Sequence, residues 1–224
     1  MTISKNFIRT AAVAGFFVAS AGAALAQDTG KILLEVEEAE FENVKTPDFV
    51  AGTKSKKWKQ KDWLEMEVKF KVVKMQKPTK DKTLPKLTVK WYVAIKDPNR
   101  RGKLLRLSSE VKHVNIPVGE DMYTSVYISP SGVRRLSNGG DNASKKLIEA
   151  VGGEFFLDGK PVKGSKFSSK PLKRGKPPWW EHSTLSDSKS IKLQSKNETP
   201  FKFLWYDRYA EVETEENQAA PASN

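Results

Sequence analysis

The sequence predicts an all-β protein with one short helix, arranged as an immunoglobulin-like antiparallel β-sandwich without a disulfide. Three observations predict it. Apolar residues recur at every second position through several segments, turn signals separate those segments, and the chain has no cysteine. Charged residues on the alternate positions describe strands buried on one face, which is the antiparallel pattern.

KILLEVEEAEF is the first expected strand. In WLEMEVKFKVV, Leu64, Met66, Val68, Phe70 and Val72 point inward, while Glu65, Glu67, Lys69 and Lys71 form the wet face. LTVKWYVAI repeats the design with Leu87, Val89, Trp91, Val93 and Ile95 inward, and stops at Asp97-Pro98-Asn99. Trp91 suits the tryptophan that packs between two sheets. KLLRLSSEVKHVNI and MYTSVYI follow, the latter with Met122, Thr124, Val126 and Ile128 on one face and Tyr123 and Tyr127 on the other. SPSGVRRLSNGG predicts the helix: Ser129 caps it, Pro130 sits in its first turn, and Gly139-Gly140 stop it. SKKLIEAVGGEFFLDGKPV returns to strand, with Gly152-Gly153 as an expected bulge and Asp158-Gly159 as a hairpin turn. IKLQSKNETPFKFLWYDRYAEV predicts two closing strands, with Phe201, Phe203 and Trp205 alternating after Pro200. The count is seven to nine strands. KFLWYDRYAEV is the expected exposed edge.

Three units result. Residues 1–26 form a secretory signal peptide: Lys5 and Arg9 are its basic start, Thr10–Leu25 its apolar run, and Ala24-Leu25-Ala26 its cleavage site. The run is short of the roughly 20 residues of a membrane span, so no transmembrane segment is expected in the mature chain. Residues 31–209 form the sandwich. Residues 210–224, with Glu211, Glu213, Glu215 and Glu216 and no basic residue, are expected to be a disordered acidic tail.

The formal charge is +12, and the leader accounts for only Lys5 and Arg9 of it. Such a surface favours anionic partners. Two segments concentrate the means of contact. PLKRGKPPWWEHS places Trp179 and Trp180 beside Lys173, Arg174 and Lys176, with Pro177-Pro178 stiffening the backbone. The loop reads first as a structural lid over the open end of the sandwich and second as a contact surface, and because neighbouring residues on an extended chain point to opposite sides the two readings are compatible. KSKKWKQKDW sets Trp58 among Lys57, Lys59 and other lysines.

Catalytic chemistry has little to work with. The histidines are His113 and His182 alone, and no carboxylate calcium loop or nucleophile elbow occurs. Ser186 and Lys189 match S-x-x-K without its companion motifs. No catalytic residue, metal site or cofactor is expected, and the chain is read as non-enzymatic.

The leader, LTVKWYVAI, SPSGVRRL, GEFFLDGKPV and ETPFKFLWYDRYAEV together resemble the pilus-like secreted proteins of the Verrucomicrobia, over roughly residues 30–213. That family has an immunoglobulin-like fold and is associated with type IV pilus gene clusters. The resemblance implies an exported envelope or cell-surface protein of a Gram-negative bacterium, in the periplasm or outside, acting in assembly or adhesion through protein contacts. Its partner would be an envelope or pilus-assembly protein, or an anionic polysaccharide; nucleic acid is disfavoured outside the cytoplasm. The leader departs from a pilin's G-F-x-x-x-E, because Ser20 stands where glutamate is required. A carbohydrate-binding module using the tryptophan loop is the alternative.

Overall fold

A computed structural model describes residues 32–49, 58–77, 79–140, 145–215 and 217, so the leader, Lys57 and residues 218–224 lie outside the described residues. The strands are β1 (Ile32–Val36), β2 (Glu40–Lys45), β3 (Asp62–Met75), β4 (Thr83–Lys96), β5 (Leu104–Pro117) and β6 (Asp121–Ile128), then, after helix α1 (Pro130–Leu136), β7 (Ile148–Leu157), β8 (Lys160–Pro161), β9 (Phe167–Ser168), β10 (Ser186–Asp187) and β11 (Leu193–Ser195). They form two sheets. Sheet A runs β1-β3-β6-β11 with β2 also on β3; sheet B runs β10-β5-β4-β7-β8 with β9 also on β7. The predicted disulfide-free β-sandwich with one short helix is therefore the observed architecture. No described helix is long and apolar enough to cross a membrane.

The core follows the two-residue period. The five inward residues named on β3 and the five on β4 are all buried in one cluster between the sheets. Phe70 meets Phe155 across the gap at 5.0 Å, and Trp91 packs edge-on against Phe167 at 4.9 Å. The α1 cap is as predicted: Ser129 Oγ accepts from the Gly132 amide, with Pro130 in the first turn. Asp158 and Gly159 both take positive φ in the tight β7–β8 turn.

Several expectations change. The first strand is two, β1 and β2, which pair with opposite ends of β3 and are parted at Glu37–Ala39, where the ladder slips by one residue. One pair, β5 with β10, is parallel. Gly152 and Gly153 are not a bulge, since both pair in regular register with Tyr92 and Trp91. They are needed for close approach. A Cβ on Gly152 would lie 2.6 Å from the Trp180 ring, and one on Gly153 would lie 2.3 Å from the Lys90 carbonyl oxygen.

The largest change is at the C-terminus. After β11 the chain makes three 3-10 turns, Lys196–Glu198, Pro200–Phe203 and Tyr206–Arg208, where a closing strand was expected. Local capping explains this: Ser195 and Glu198 form a capping box, and Thr199 Oγ1 accepts from the Phe201 amide beside Pro200, which has no amide hydrogen. Phe201 is buried, whereas Phe203 and Trp205 are exposed, so residues 202–208 form no strand and KFLWYDRYAEV meets the sheets only from Tyr209 onward. The boundary at 209 also falls short. Ala210 is buried, Val212 bridges His113, and the Glu213 amide donates to the Lys112 carbonyl. These residues complete the open edge of β5, and Asn217 folds back to donate to Glu211 and to the Val212 carbonyl.

Substituting Gly153 with alanine is expected to destabilise the fold by about 3 kcal/mol, the upper range for overpacking, because backbone bounds the space. Gly152→Ala, which meets the Trp180 ring and, less closely than Gly153 meets Lys90, a backbone oxygen of Phe167, should cost less and shift tryptophan emission. Urea denaturation followed by fluorescence checks both, and equal small losses would contradict the close-approach account.

Candidate partner-binding groove

The two tryptophans expected to mark a site have mainly structural environments. Trp180 is buried and stacks on Tyr92 at 5.4 Å over Gly152, closing the outer face of sheet B. Trp179 is half-buried and donates through Nε1 to Ser168 Oγ at 3.0 Å. Arg106 holds this turn, donating to the Trp180 carbonyl and, from Nε and Nη2, to Asp187 at 2.7 and 3.0 Å. Lys173, Arg174 and Lys176 are exposed on the preceding turn. Trp58 is exposed with Lys59 ahead of β3 in sheet A, so the two predicted aromatic loops belong to different sheets. His182 is exposed, and no metal-ligating cluster occurs among the described residues.

A different site forms on the outer face of sheet A. Alternation aims Glu65 and Glu67 of β3 outward, and the β2 register sets Glu42 opposite Glu65 and Glu40 opposite Glu67. Like charges directly opposite on one sheet are destabilising. Glu65 is nevertheless buried. Tyr127, across on β6, donates its hydroxyl to Glu65 Oε1, with Ser125 Oγ 3.1 Å from the same phenol. Tyr209 donates to Glu67 Oε2, and Arg208 Nη2 lies 2.7 Å from Glu67 Oε1. Burial pushes both carboxyl groups above their usual range, and the phenol hydrogen bonds pull them partly back.

The C-terminal turns are the cover that supplies these donors. Trp63, Tyr127 and Phe201 form a second, smaller core outside sheet A, Tyr127 and Phe201 stacked at 4.9 Å. Arg208 lies 3.8 Å over the Tyr123 ring, and the Lys196 ammonium 4.1 Å over Tyr209. Burial lowers Lys196 to about 8. His113 pins the far end of the strap: Nδ1 is 3.1 Å from the Ala210 carbonyl and Nε2 2.8 Å from Thr124 Oγ1. Its ring is buried, as expected for a packing histidine, and burial lowers it to about 4.

Between this strap and β2 opens a groove of about 820 Å³. Glu40, Glu42, Glu65 and Glu67 line it, Tyr209 and Trp205 wall it, and Lys145, Lys146 and Arg208 reach it from the rim. Trp205 is 56% exposed and takes a left-handed conformation, φ 50°. For a bulky residue that conformation is a true outlier. Phe203 and Tyr206 flank it, each 68% exposed, and Phe49 meets Phe203 at 6.1 Å. An anionic floor beside aromatic rings accepts a cationic group with an apolar stem, such as a lysine or arginine side chain.

A protein-family model matches residues 25–216, almost the whole chain. The chain belongs to that family. A crystal structure of a protein from Akkermansia muciniphila is similar at 32% identity and a TM-score of 0.72, over 82% of this chain and 94% of that one. Its verrucomicrobial source agrees with the resemblance carried by the strand patterns. No curated protein matches.

The His113 contact gives a pH dependence of known sign. Above pH 6.5 the imidazole is neutral in both states; below it the unfolded chain takes up the proton first, so stability falls until about pH 4. The loss is on the order of 3 kcal/mol. Glu65 and Glu67 act oppositely, since their raised values let the folded state bind protons first. The difference between wild type and His113→Gln isolates the histidine: urea midpoints at pH 7 and pH 4 should separate for wild type more than for the variant. Parallel losses would assign the acid sensitivity elsewhere.

Proposed function

We propose that this protein is an exported, non-enzymatic component of the envelope or cell surface, pilus-associated, that acts in assembly or adhesion through protein contacts at the groove on sheet A. Trp205 carries the reading. A large aromatic side chain is held exposed, in an unfavourable backbone conformation, at the wall of a carboxylate-lined groove. Strain and exposure together have no use in packing, but they suit an anchor that a partner covers. The matching family and the verrucomicrobial relative agree with the resemblance from which the envelope assignment is drawn.

Glu65 and Glu67 are engaged by phenols and a guanidinium, which leaves neither as a free acid or base. The carbohydrate-binding alternative loses its strongest support, because Trp180 is covered and Trp179 offers only part of its ring.

Replacing Trp205 with alanine tests the reading. Binding of a lysine- and arginine-containing peptide, followed by tryptophan fluorescence, should weaken about tenfold or more, a hot-spot loss. The melting temperature should hold, since the ring removed is largely exposed and alanine keeps the same backbone conformation. Unchanged peptide affinity, or binding only of acidic glycans, would remove the groove as the contact surface.

A further inference from the structure

The groove proposal leaves its occupant unnamed, and the charge distribution of the fold supplies one. Residues 35–42, EVEEAEFE, carry Glu35, Glu37, Glu38, Glu40 and Glu42 with no basic residue, all exposed along the β1–β2 edge of sheet A. Glu37 pairs with Lys69, and Glu40 and Glu42 line the groove, whose rim also carries Lys145 and Lys146. This is the acidic lip of the groove on a chain whose formal charge is +12.

The matching cations lie on the other sheet. Residues 160–176 carry Lys160, Lys163, Lys166, Lys170, Lys173, Arg174 and Lys176 with no acid, all exposed. Their anchors, β8 and β9, pair with β7 of sheet B, and the Trp180 lid that follows seals the outer face of that sheet. The last three cations share one tight turn. The Lys176 amide donates to the Lys173 carbonyl at 3.1 Å, and Gly175 supplies the left-handed residue, φ 73°. None of these three makes an ion pair among the described residues. They form a cationic knob on a fixed stem.

Knob and groove sit on opposite sheets, so one molecule cannot fill its own groove. We propose that the groove takes the Lys173–Lys176 turn of a second copy of this chain. The inference rests on the groove being a protein-contact surface. In the pair, Glu40 and Glu42 face the lysines, and the guanidinium of Arg174 lies against Trp205, which accepts a cation on its ring face. One copy then offers an unused groove and the other an unused knob. The contact is heterologous, and it propagates head to tail into a ring or an open chain. Because the attraction is between exposed charges, it weakens as salt shortens the screening length.

Sedimentation velocity of the purified protein tests this at about 0.01 M and about 1 M ionic strength, where screening lengths are about 30 and 3 Å. Species larger than the monomer are expected at low salt and monomer at high salt. Glu40→Lys/Glu42→Lys spoils only the groove, and Lys173→Glu/Arg174→Glu/Lys176→Glu only the knob. Each variant alone should run as a monomer. Their mixture retains one intact knob and one intact groove, so it should form a dimer and nothing larger. A wild type that stays monomeric at low salt, or assemblies that survive both sets of changes, would overturn the proposal. A free PLKRGKPP peptide separates the two readings. If it binds the groove of a protein that remains monomeric, self-association falls and the groove reading stands; if the peptide does not bind and the chain stays monomeric, both fall.

Discussion

Glu65 is the constraint on which the outer half of this fold depends. It lies on the face of β3 turned away from the core, yet it is buried. A carboxylate without water costs several kcal/mol unless hydrogen-bond donors replace the solvent. Tyr127 is that donor for Glu65, and Tyr209 and Arg208 serve its neighbour Glu67. The phenols in turn need apolar cover, which Trp63 and Phe201 provide. One charged residue thus recruits a second small core, and that core dictates where residues 196–210 run. A strand there would have left the phenols and carboxylates in water. The 3-10 turns wrap them and finish at the β5 edge, where His113 receives the strap.

The same dependence explains what the sequence made legible. The ten residues that alternation named on β3 and β4 are all in the core, because a sheet face against another sheet favours apolar side chains. The helix was legible because Ser129, Pro130 and the terminal glycines act locally. Alternation cannot say whether the polar face of a strand meets solvent or a later segment of chain. Glu65 and Tyr127 are written in the pattern of wet positions, and both are buried. The cover lies 130 residues or more along the chain from the opening strands, and it carried a misleading signal of its own: Phe201, Phe203 and Trp205 alternate as a strand would. The competing signal was present in Ser195, Glu198 and Thr199, a run of caps that favours short turns.

The candidate site was less legible than the fold for a related reason. Trp179-Trp180 and the lysine-rich segment around Trp58 were conspicuous in composition, and composition marks aromatic residues whether they pack or project. Trp180 projects into a recess that exists only because Gly152 has no side chain. Trp205 gave no comparable mark, since its exposure depends on a positive φ that only the folded strap imposes. The doublets of glutamate in β2 and β3 were visible, but their opposition depends on register, and register was fixed by the break at Glu37–Ala39.

That break also bears on why the groove persists. Opposed glutamates and a left-handed tryptophan both oppose folding, and they occur within one groove while the core beneath is regularly packed. A sheet free of other demands would relieve the repulsion by setting a lysine across from each carboxylate, as happens lower on the same strand, where Lys69 and Lys71 share Asp121. Glu65 and Glu67 have no lysine directly across from them on β2, and these carboxylates line a groove that Lys145 and Lys146 reach from the rim. Arg208 compensates Glu67 alone, from the strap side. A cation arriving from outside would complete at the top of the strand the pairing that the chain makes for itself at the bottom. In this sense the salt-bridge network of β3 is closed at the bottom of the strand and open at the top, where carboxylates, rim cations and the Trp205 ring share one groove.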